Sequence, residues 1–281
     1  MQVKAIACEL PARKGAPLSR FSVEEIRRTA LREGIVEEIG RTTIWRWLDE
    51  DALRPWRYRP WIFPRAPDFA ERAGVVLGLY EGIWEGKALG RGCHVICADE
   101  KTSIQARRRC HATTPAQPNQ AMRVEHEYER KGALAYLAAW DVFEGKVMGI
   151  VEEKTGIEPF GRLVDRVMGQ EPYASAERVF WIVDNGSSHR RETFPERLSE
   201  AYENAVAIHL PVHASWLNQI EIYFSIVQRK VLTPNDIADR KELRQRLVRF
   251  EQYHNQSARP MAWTFTRRKL NAWLKQIPLA A

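Results

Sequence analysis

Short apolar runs that lead into polar turn residues predict the central strands of this protein. Residues 179–183 are all apolar, mostly β-branched or aromatic, and lead directly into Asp184 and an Asn-Gly pair. Such a run predicts a strand buried on both faces, as in a sheet covered by helices. Residues 94–98 repeat the arrangement and lead into Asp99. Both carboxylates are therefore expected at the carboxyl ends of strands, where open α/β sheets place their sites. Taken alone, Asp-Asn-Gly is equally well explained as a simple turn.

The remaining pattern predicts an alternation of strands and helices. Strands at 133–142 and 146–152 are expected to pair as a hairpin across 143–145. Helical periodicity covers 157–168, and a helix at 192–203 and a strand at 205–210 follow. The order of three strands, helix, strand, helix, strand, helix matches an α/β fold of the ribonuclease H-like (retroviral integrase-like) type. In that fold the first three strands are antiparallel, and the strands that end at Asp99 and Asp184 are neighbours.

A last long helix, predicted over 216–231 with Ser215 as its cap, carries a third acidic residue. The helix has an apolar stripe at helical spacing, formed by Ile220, Phe224, Val227 and Val231. Its neighbouring polar face consists of Asn218, Glu221, Ser225 and Gln228. Glu221 can therefore reach the edge of the sheet while its helix stays anchored in the core. Considered by itself, Glu221 is more often a surface glutamate.

The N-terminal part predicts a small all-α domain. Residues 1–18 lack periodicity and are interpreted as a tail or linker, and residues 19–53 as a helix-turn-helix domain. A capping box at Ser22 begins the first helix, a short segment spans 36–39, and a third helix covers about 42–49. That last helix presents polar residues suited to contacts with DNA bases, namely Arg41, Thr42, Thr43 and Arg46. A plain helical hairpin without DNA contacts is the alternative.

Residues 54–67 are interpreted as a linker, because four prolines exclude regular helix and arginines alternate with aromatic residues. Arg57 and Arg59 in this segment are candidates for contacts with the DNA backbone or minor groove. A helix over 68–86 is expected to begin the second domain, residues 68–281, which ends in basic helices.

Charge favours a polyanionic partner. The 281 residues carry a net charge of +7, and from Arg229 to Lys275 twelve basic residues face four acidic ones. A second basic cluster follows Asp99 and consists of Arg107, Arg108 and Arg109. Solvated helix faces also explain such runs, but two basic zones around a carboxylate site favour a phosphate-bearing substrate.

The chain has neither an apolar run long enough to span a bilayer nor a signal-peptide pattern, which predicts a cytoplasmic, nucleoid-associated protein without a membrane partner. The four cysteines lack the paired spacings of a zinc site, so free thiols are expected. A zinc site built from Cys93, Cys97, Cys110 and His111 is the weaker alternative.

Three blocks of this sequence resemble the catalytic motifs of DDE transposases. They are Ala-Asp-Glu-Lys at 98–101, Asp-Asn-Gly-Ser-Ser-His at 184–189, and Leu-Pro-Val-His-Ala-Ser-Trp-Leu-Asn-Gln-Ile-Glu at 210–221. The branch they resemble is the bacterial insertion-sequence six-thirty family, which is related to the mariner group. Segments 43–48 and 55–64 resemble the same family. The resemblance implies a metal-binding triad of Asp99, Asp184 and Glu221, with Asn185, His189 and Asn218 as neighbouring motif positions.

Two departures from the family pattern stand out. The gap of 36 residues between Asp184 and Glu221 is slightly longer than usual, which a small insertion near His213 would absorb. Family members usually carry two helical DNA-binding subdomains, whereas this chain has room for one complete unit, so the front half is expected to be missing or reduced.

The chemistry implied is phosphodiester cleavage with two Mg²⁺ ions, for which Mn²⁺ can substitute, since hard cations prefer carboxylate oxygens. The resemblance predicts a transposase that cleaves terminal inverted repeats and joins the freed 3′-hydroxyl to TA-rich double-stranded target DNA as a homodimer or larger assembly. A truncated, inactive derivative that represses transposition is one alternative. A different ribonuclease H-like nuclease, such as one acting on RNA–DNA hybrids, is the other.

Overall fold

A computed structural model of the chain describes residues 2–58, 64 and 66–276. The chain divides into two compact units, Met1–Phe63 and Pro64–Ala281. None of the helices in the described ranges is long and apolar enough to cross a membrane.

The N-terminal unit is a small bundle of helices α1 (Gln2–Ala7), α2 (Val23–Arg32) and α3 (Arg41–Glu50), with a 3₁₀ turn at Pro11–Lys14. The prediction that residues 1–18 form a tail or linker is therefore wrong for Gln2–Ala7 and Pro11–Lys14, which are helical. Val3 and Ile6 lie three residues apart on one face of α1 and are buried against residues of the other two helices. One helical turn of apolar spacing is too short a signal to predict a helix, and packing against α2 and α3 stabilises it instead.

Helix α2 begins with the predicted capping box. The Ser22 hydroxyl accepts from the Glu25 amide at 3.3 Å, and the Glu25 carboxylate accepts from the Ser22 amide at 2.6 Å. The short segment predicted at 36–39 is not helical. Only a few residues separate Gly34 from Gly40, and so short a segment forms too few hydrogen bonds to offset the free-energy cost of helix nucleation. The pair α2–α3 therefore corresponds to the predicted helix-turn-helix unit, and α1 is the third helix of the bundle.

The second unit is built on a five-stranded mixed sheet, preceded by a two-stranded hairpin of β1 (Ile83–Trp84) and β2 (Lys87–Ala88). The sheet order is β5-β4-β3-β6-β7. Antiparallel pairs join β5 to β4 and β4 to β3, whereas β3–β6 and β6–β7 are parallel. Its strands are β3 (Cys93–Arg108), β4 (Glu129–Asp141), β5 (Val147–Glu152), β6 (Arg178–Val183) and β7 (Ala205–His209). The predicted ribonuclease H-like strand order is confirmed.

Helices cover both faces of this sheet. Helices α5 (Ile157–Met168) and α6 (Phe194–Ala201) pack on one face. The other face is covered by α4 (Phe69–Tyr80), α7 (Ile220–Lys230), α8 (Arg240–Asn255) and α9 (Arg267–Gln276). Alternate strand residues enter the two cores: Val95 and Cys97 face α7, whereas Ile96 and Ala98 face α5 and α6. Burial of the apolar run on both faces follows from this alternation.

Two elements differ from the sequence-based prediction in ways that affect the site. Strand β3 does not end at Asp99 but continues to Arg108, paired with β4 alone. The helix predicted from residue 216 is a 3₁₀ turn at Ser215–Leu217, followed by extended Asn218 and then α7. At this break the Asn218 side-chain Nδ2 donates to the backbone carbonyl oxygen of Ala98 at 3.1 Å, which attaches the chain to the sheet before the helix begins.

Candidate active site

The two central strands bring Asp99 and Asp184 to one edge of the sheet. The last parallel pair between β3 and β6 is Cys97 with Ile182, so each aspartate lies two residues beyond that pair. The prediction that these strands are neighbours is confirmed. Asp99 is 8% exposed, whereas 32% of the Asp184 side chain is exposed.

The turn after β6 holds Asp184 in a fixed orientation. The Asp184 carboxylate accepts from the Gly186 amide at 2.7 Å, and the Asn185 side chain donates to the carbonyl oxygen of Leu210 at 3.0 Å. A side chain at position 186 would place its Cβ 2.8 Å from the His189 ring and 2.9 Å from the Asp184 carboxylate. Glycine is therefore required here for close approach, and Asn185 links the turn to the end of β7.

Glu221 lies in the first turn of α7, on the solvent-facing side of the helix. Its predicted anchor is in place, since Ile220, Phe224 and Val227 are buried and Val231 is half-buried. Partial burial raises the pKa of Glu221, the Lys101 ammonium lowers it, and the charge of Asp184 raises it again. Glu221 thus lies within electrostatic reach of Asp184, and it lines a surface cavity together with Lys101.

The acidic residues at this edge are only partly neutralised: the Lys101 ammonium lies near Glu221, whereas Asp99 and Asp184 repel each other. Burial, followed by repulsion from Asp184, raises the pKa of Asp99 to about 7, although the Glu100 amide donates to its carboxylate at 2.7 Å. Carboxylates that are held close together repel one another, so each ionises less readily without a cation. Their oxygen atoms are the ligands that a hard divalent cation prefers. The residues present therefore fit the divalent metal that this architecture implies.

A second cluster, not predicted from the sequence, lies beside Asp99 on the side of α5 and α6. It consists of Glu100, Ser188 and His189, and the Ser188 hydroxyl donates to the Glu100 carboxylate. Among the described residues, the group whose possible ligand atoms all lie within 4.8 Å of one another is Asp99, Glu100 and His189; Asp184 and Glu221 are outside it. The sequence signal for this cluster was the acidic residue next to Asp99. Because successive side chains in a strand point to opposite faces, Glu100 is expected to face away from Asp99 and the site.

His189 and Asn218, the two other motif positions beside Asn185, form hydrogen bonds within the core. His189 is fully buried, donates from Nδ1 to the carbonyl oxygen of Asp184 at 3.0 Å, and packs against the Phe160 ring with a centroid separation of 4.7 Å. Asn218 is also buried and connects β3 to the start of α7, because its side-chain nitrogen donates to Ala98 of β3 and its side-chain Oδ1 accepts from the Ile220 backbone amide at 3.4 Å. Both residues position site elements from within the core.

A polar groove of about 500 Å³ runs along β3 from the site, lined by Lys101, Arg107, Tyr128, Gln228 and Asn235 among others. The guanidinium groups of Arg107 and Arg109 lie over the Tyr128 ring at 4.7 and 4.9 Å from its centroid. Arg109 donates to four backbone carbonyl groups, of Asn235, Glu125, His126 and Glu127, which indicates that it holds the loop. Arg108 is exposed, whereas Arg107 is half-buried beside Tyr128.

In the N-terminal unit, α3 presents the predicted polar face. Arg41, Thr42 and Arg46 are exposed and Thr43 is half-buried, whereas Ile44 and Leu48 are fully buried. Arg57 is exposed after α3, and Arg59 lies outside the described residues. All four cysteines are free, as expected.

A five-stranded mixed sheet of this order, with acidic residues just beyond the paired part of its two central parallel strands and on a following helix, defines a ribonuclease H-like nuclease domain. The chain belongs to the family described as DDE superfamily endonuclease, whose profile matches residues 94–244, more than half of the chain. The match includes Asp99, Asp184 and Glu221. Membership makes the protein a divalent-metal-dependent DNA endonuclease.

Solved structures with a similar fold include the Mos1 mariner paired end complex with Mn, at 13% identity and a TM-score of 0.47, covering 92% of this chain and 77% of that one. A pre-cleavage Mos1 transpososome is 13% identical with a TM-score of 0.49, covering 92% and 78%. These likenesses are too distant to transfer function. No curated protein matches the sequence.

Proposed function

We propose that this protein is a DNA transposase of the insertion-sequence six-thirty family. It cleaves the ends of a mobile element and joins the freed 3′-hydroxyl to target DNA. The observation that carries the proposal is the meeting of Asp99 and Asp184 beyond one parallel strand pair, with Glu221 within electrostatic reach. In a DDE endonuclease, this arrangement supports the three acids as the catalytic carboxylates.

Asp99, Asp184 and Glu221 are the residues that would hold the metal, as two Mg²⁺ ions or Mn²⁺ in their place. Bound cations would activate the attacking oxygen and stabilise the leaving oxygen of the phosphodiester. The protein supplies the positions of the carboxylates: the Gly186 turn orients Asp184, and Asn218 connects Glu221's helix to β3. Lys101 adds a positive charge beside Glu221, where it can contact a DNA phosphate.

DNA recognition is assigned to the N-terminal unit. Arg41, Thr42 and Arg46 project from one exposed face of α3, as expected for a recognition helix in a major groove. The substrate we propose is the terminal inverted repeat, with a TA-rich target. Arg57 and Arg59 are proposed to contact the backbone or minor groove. Joining two ends requires at least two protomers, so a homodimer or larger assembly on DNA is expected.

The test is cleavage and strand joining by the full chain on DNA that carries the inverted repeats flanking its gene. The variants Asp99→Asn, Asp184→Asn and Glu221→Gln should each abolish both steps while remaining folded. Glu200→Gln, an exposed glutamate on α6, is the matched control and should retain activity. Near-normal cleavage by Glu221→Gln in Mg²⁺ would place the third carboxylate elsewhere.

The same assay separates the alternatives. A repressor would bind the ends and cleave nothing in Mg²⁺ or Mn²⁺, and a hybrid nuclease would cut RNA–DNA duplexes without requiring the repeats. The mass of the protein–DNA complex tests assembly: a single protomer per cleaved end pair would contradict the proposed dimer.

A further inference from the structure

The orientation of His189 leaves one of its ring nitrogens without a hydrogen-bond partner. Its Nδ1 lies 3.0 Å from the carbonyl oxygen of Asp184, which can only accept, so Nδ1 carries the hydrogen. In the neutral ring, Nε2 then carries a lone pair. This nitrogen is buried, has no hydrogen-bond partner among the described residues, and lies 3.5 Å from the Glu100 carboxylate.

When the ring is neutral, two electron-pair donors therefore face each other in a largely buried position. One oxygen of Glu100 already accepts from Ser188, and the other faces Nε2 of His189. Glu100 is only 10% exposed, and Phe160 and Phe194 flank the His189 ring. A buried pair of this kind is unfavourable unless a positive charge neutralises it. A proton on Nε2 is one such charge: burial lowers the pKa of His189, but the neighbouring Glu100 and Asp184 outweigh this, so the pKa is raised. A metal ion is the other, and it would displace that proton.

The spacing suits a metal ion. Ligand bonds of about 2.0–2.2 Å at tetrahedral or octahedral angles place neighbouring ligand atoms about 3.0–3.5 Å apart. The 3.5 Å between Nε2 of His189 and the Glu100 oxygen falls at the upper end of this range. A carboxylate oxygen of Asp99 completes a group of three possible ligand atoms within 4.8 Å of one another.

We propose that Asp99, Glu100 and His189 bind a divalent cation with one nitrogen ligand, and that this position favours Mn²⁺ over Mg²⁺. Imidazole suits transition metals, whereas Mg²⁺ takes oxygen ligands almost exclusively. The inference rests on the proposed function, because Asp99 is shared with the catalytic carboxylates. Glu100 follows Asp99 in β3 and meets His189 on the side of α5 and α6, so the position lies across Asp99 from Glu221.

The test is pulsed electron paramagnetic resonance of the full chain loaded with Mn²⁺ alone, which detects a directly bonded ¹⁴N nucleus. Wild-type protein should show this nitrogen coupling. In His189→Asn the side-chain amide can still donate to Asp184, but no group replaces Nε2, so the coupling should vanish. Mn²⁺ affinity should fall by about tenfold or more, and Mg²⁺ affinity by much less.

Two further variants separate ligation from structure. Glu100→Gln keeps an oxygen that can accept from Ser188 but loses the charge, so Mn²⁺ binding should weaken while the fold is retained. His126→Asn removes an exposed imidazole and should leave both the coupling and the affinity unchanged.

Mn²⁺ bound to wild-type protein without nitrogen coupling would overturn the proposal, and this result does not depend on any variant folding. Persistence of the coupling in His189→Asn would overturn it as well. Failure of the proposed function has a different signature: either the wild-type protein cleaves no element ends, or Asp99→Asn retains cleavage, whatever the wild-type spectrum shows.

Discussion

Replacing Asp99 with asparagine is expected to stabilise the metal-free protein at alkaline pH. Burial and the charge of Asp184 raise the pKa of Asp99 from 3.8 to about 7. A raised carboxyl pKa means that the folded state holds its proton at a pH where the unfolded chain has released it. This group's penalty on stability is therefore absent below pH 3.8, grows as pH rises, and is complete above about pH 7.

The size of the effect follows from the same shift. About three pKa units at about 1.36 kcal/mol each give a penalty of roughly 4 kcal/mol for the ionised carboxylate. Local relaxation and water entry reduce it, so we expect Asp99→Asn to gain about 2–4 kcal/mol at pH 8 and less than about 1 kcal/mol at pH 4.5. Asparagine retains an oxygen that can accept from the Glu100 amide, so the replacement removes charge with little change of shape.

Equilibrium urea unfolding in EDTA, followed by the fluorescence of buried Trp140 and Trp181, measures this difference at each pH. Glu200→Gln is the control and should stay within about 0.5 kcal/mol of wild type at both pH values. With added Mn²⁺ the wild-type protein should become more stable than Asp99→Asn. A bound ion stabilises the folded state, and Asp99→Asn has lost a ligand. A difference that does not change with pH, or a loss of stability at pH 8 in EDTA, would refute the charge argument.

Three other substitutions test the positioning of the site and of α3. Gly186→Ala places a methyl group under 3.0 Å from two neighbouring side chains and should lower both activity and melting temperature, whereas Gly161→Ala, a helical site with open space, should be neutral or stabilising by up to about 1 kcal/mol. Asn218→Ala loses its bond to Ala98 and should cost about 1–3 kcal/mol in unfolding free energy; an unchanged stability would mean that this bond is not needed to hold α7. Arg46→Ala should weaken binding to element-end DNA by about 1–3 kcal/mol with little effect on random DNA, measured by fluorescence anisotropy; equal losses on both would remove its base-contacting role.

The sheet was predictable because its signals are local. Residues 179–183 form an apolar run that ends in a turn, and the helix predicted over 157–168 has these bounds in the structure. The extension of β3 to Arg108 was not predictable from the sequence, because Glu100–Arg108 is largely polar and pairs with β4 alone. Edge positions of this kind carry no apolar pattern, so only the partner strand defines them.

The site was predictable in part for the same reason. Asp99 and Asp184 directly follow the buried apolar runs of β3 and β6, so fold order alone brings these two strands side by side. Glu100 and His189 are 89 positions apart in the chain and meet only through tertiary packing, which no periodicity encodes. Helix α7 begins later than predicted because a tertiary bond from Asn218 overrides the local capping preference of Ser215.

The cost of holding unneutralised carboxylates at the sheet edge is offset by the strands that deliver them. Phe180, Trp181 and Ile182 of β6 are fully buried, and Val95 and Ile96 of β3 are fully buried beside them. Burial of an apolar side chain of this kind contributes about 1.5–3 kcal/mol before the conformational entropy lost on ordering it is subtracted, so several such residues are needed to hold one ionised carboxylate in place. The acids can therefore stay close together before any cation arrives, and metal binding then relieves repulsion without having to assemble the site. For this reason a charge-removing substitution at Asp99 is expected to separate stability from activity, raising the first in metal-free protein while abolishing the second.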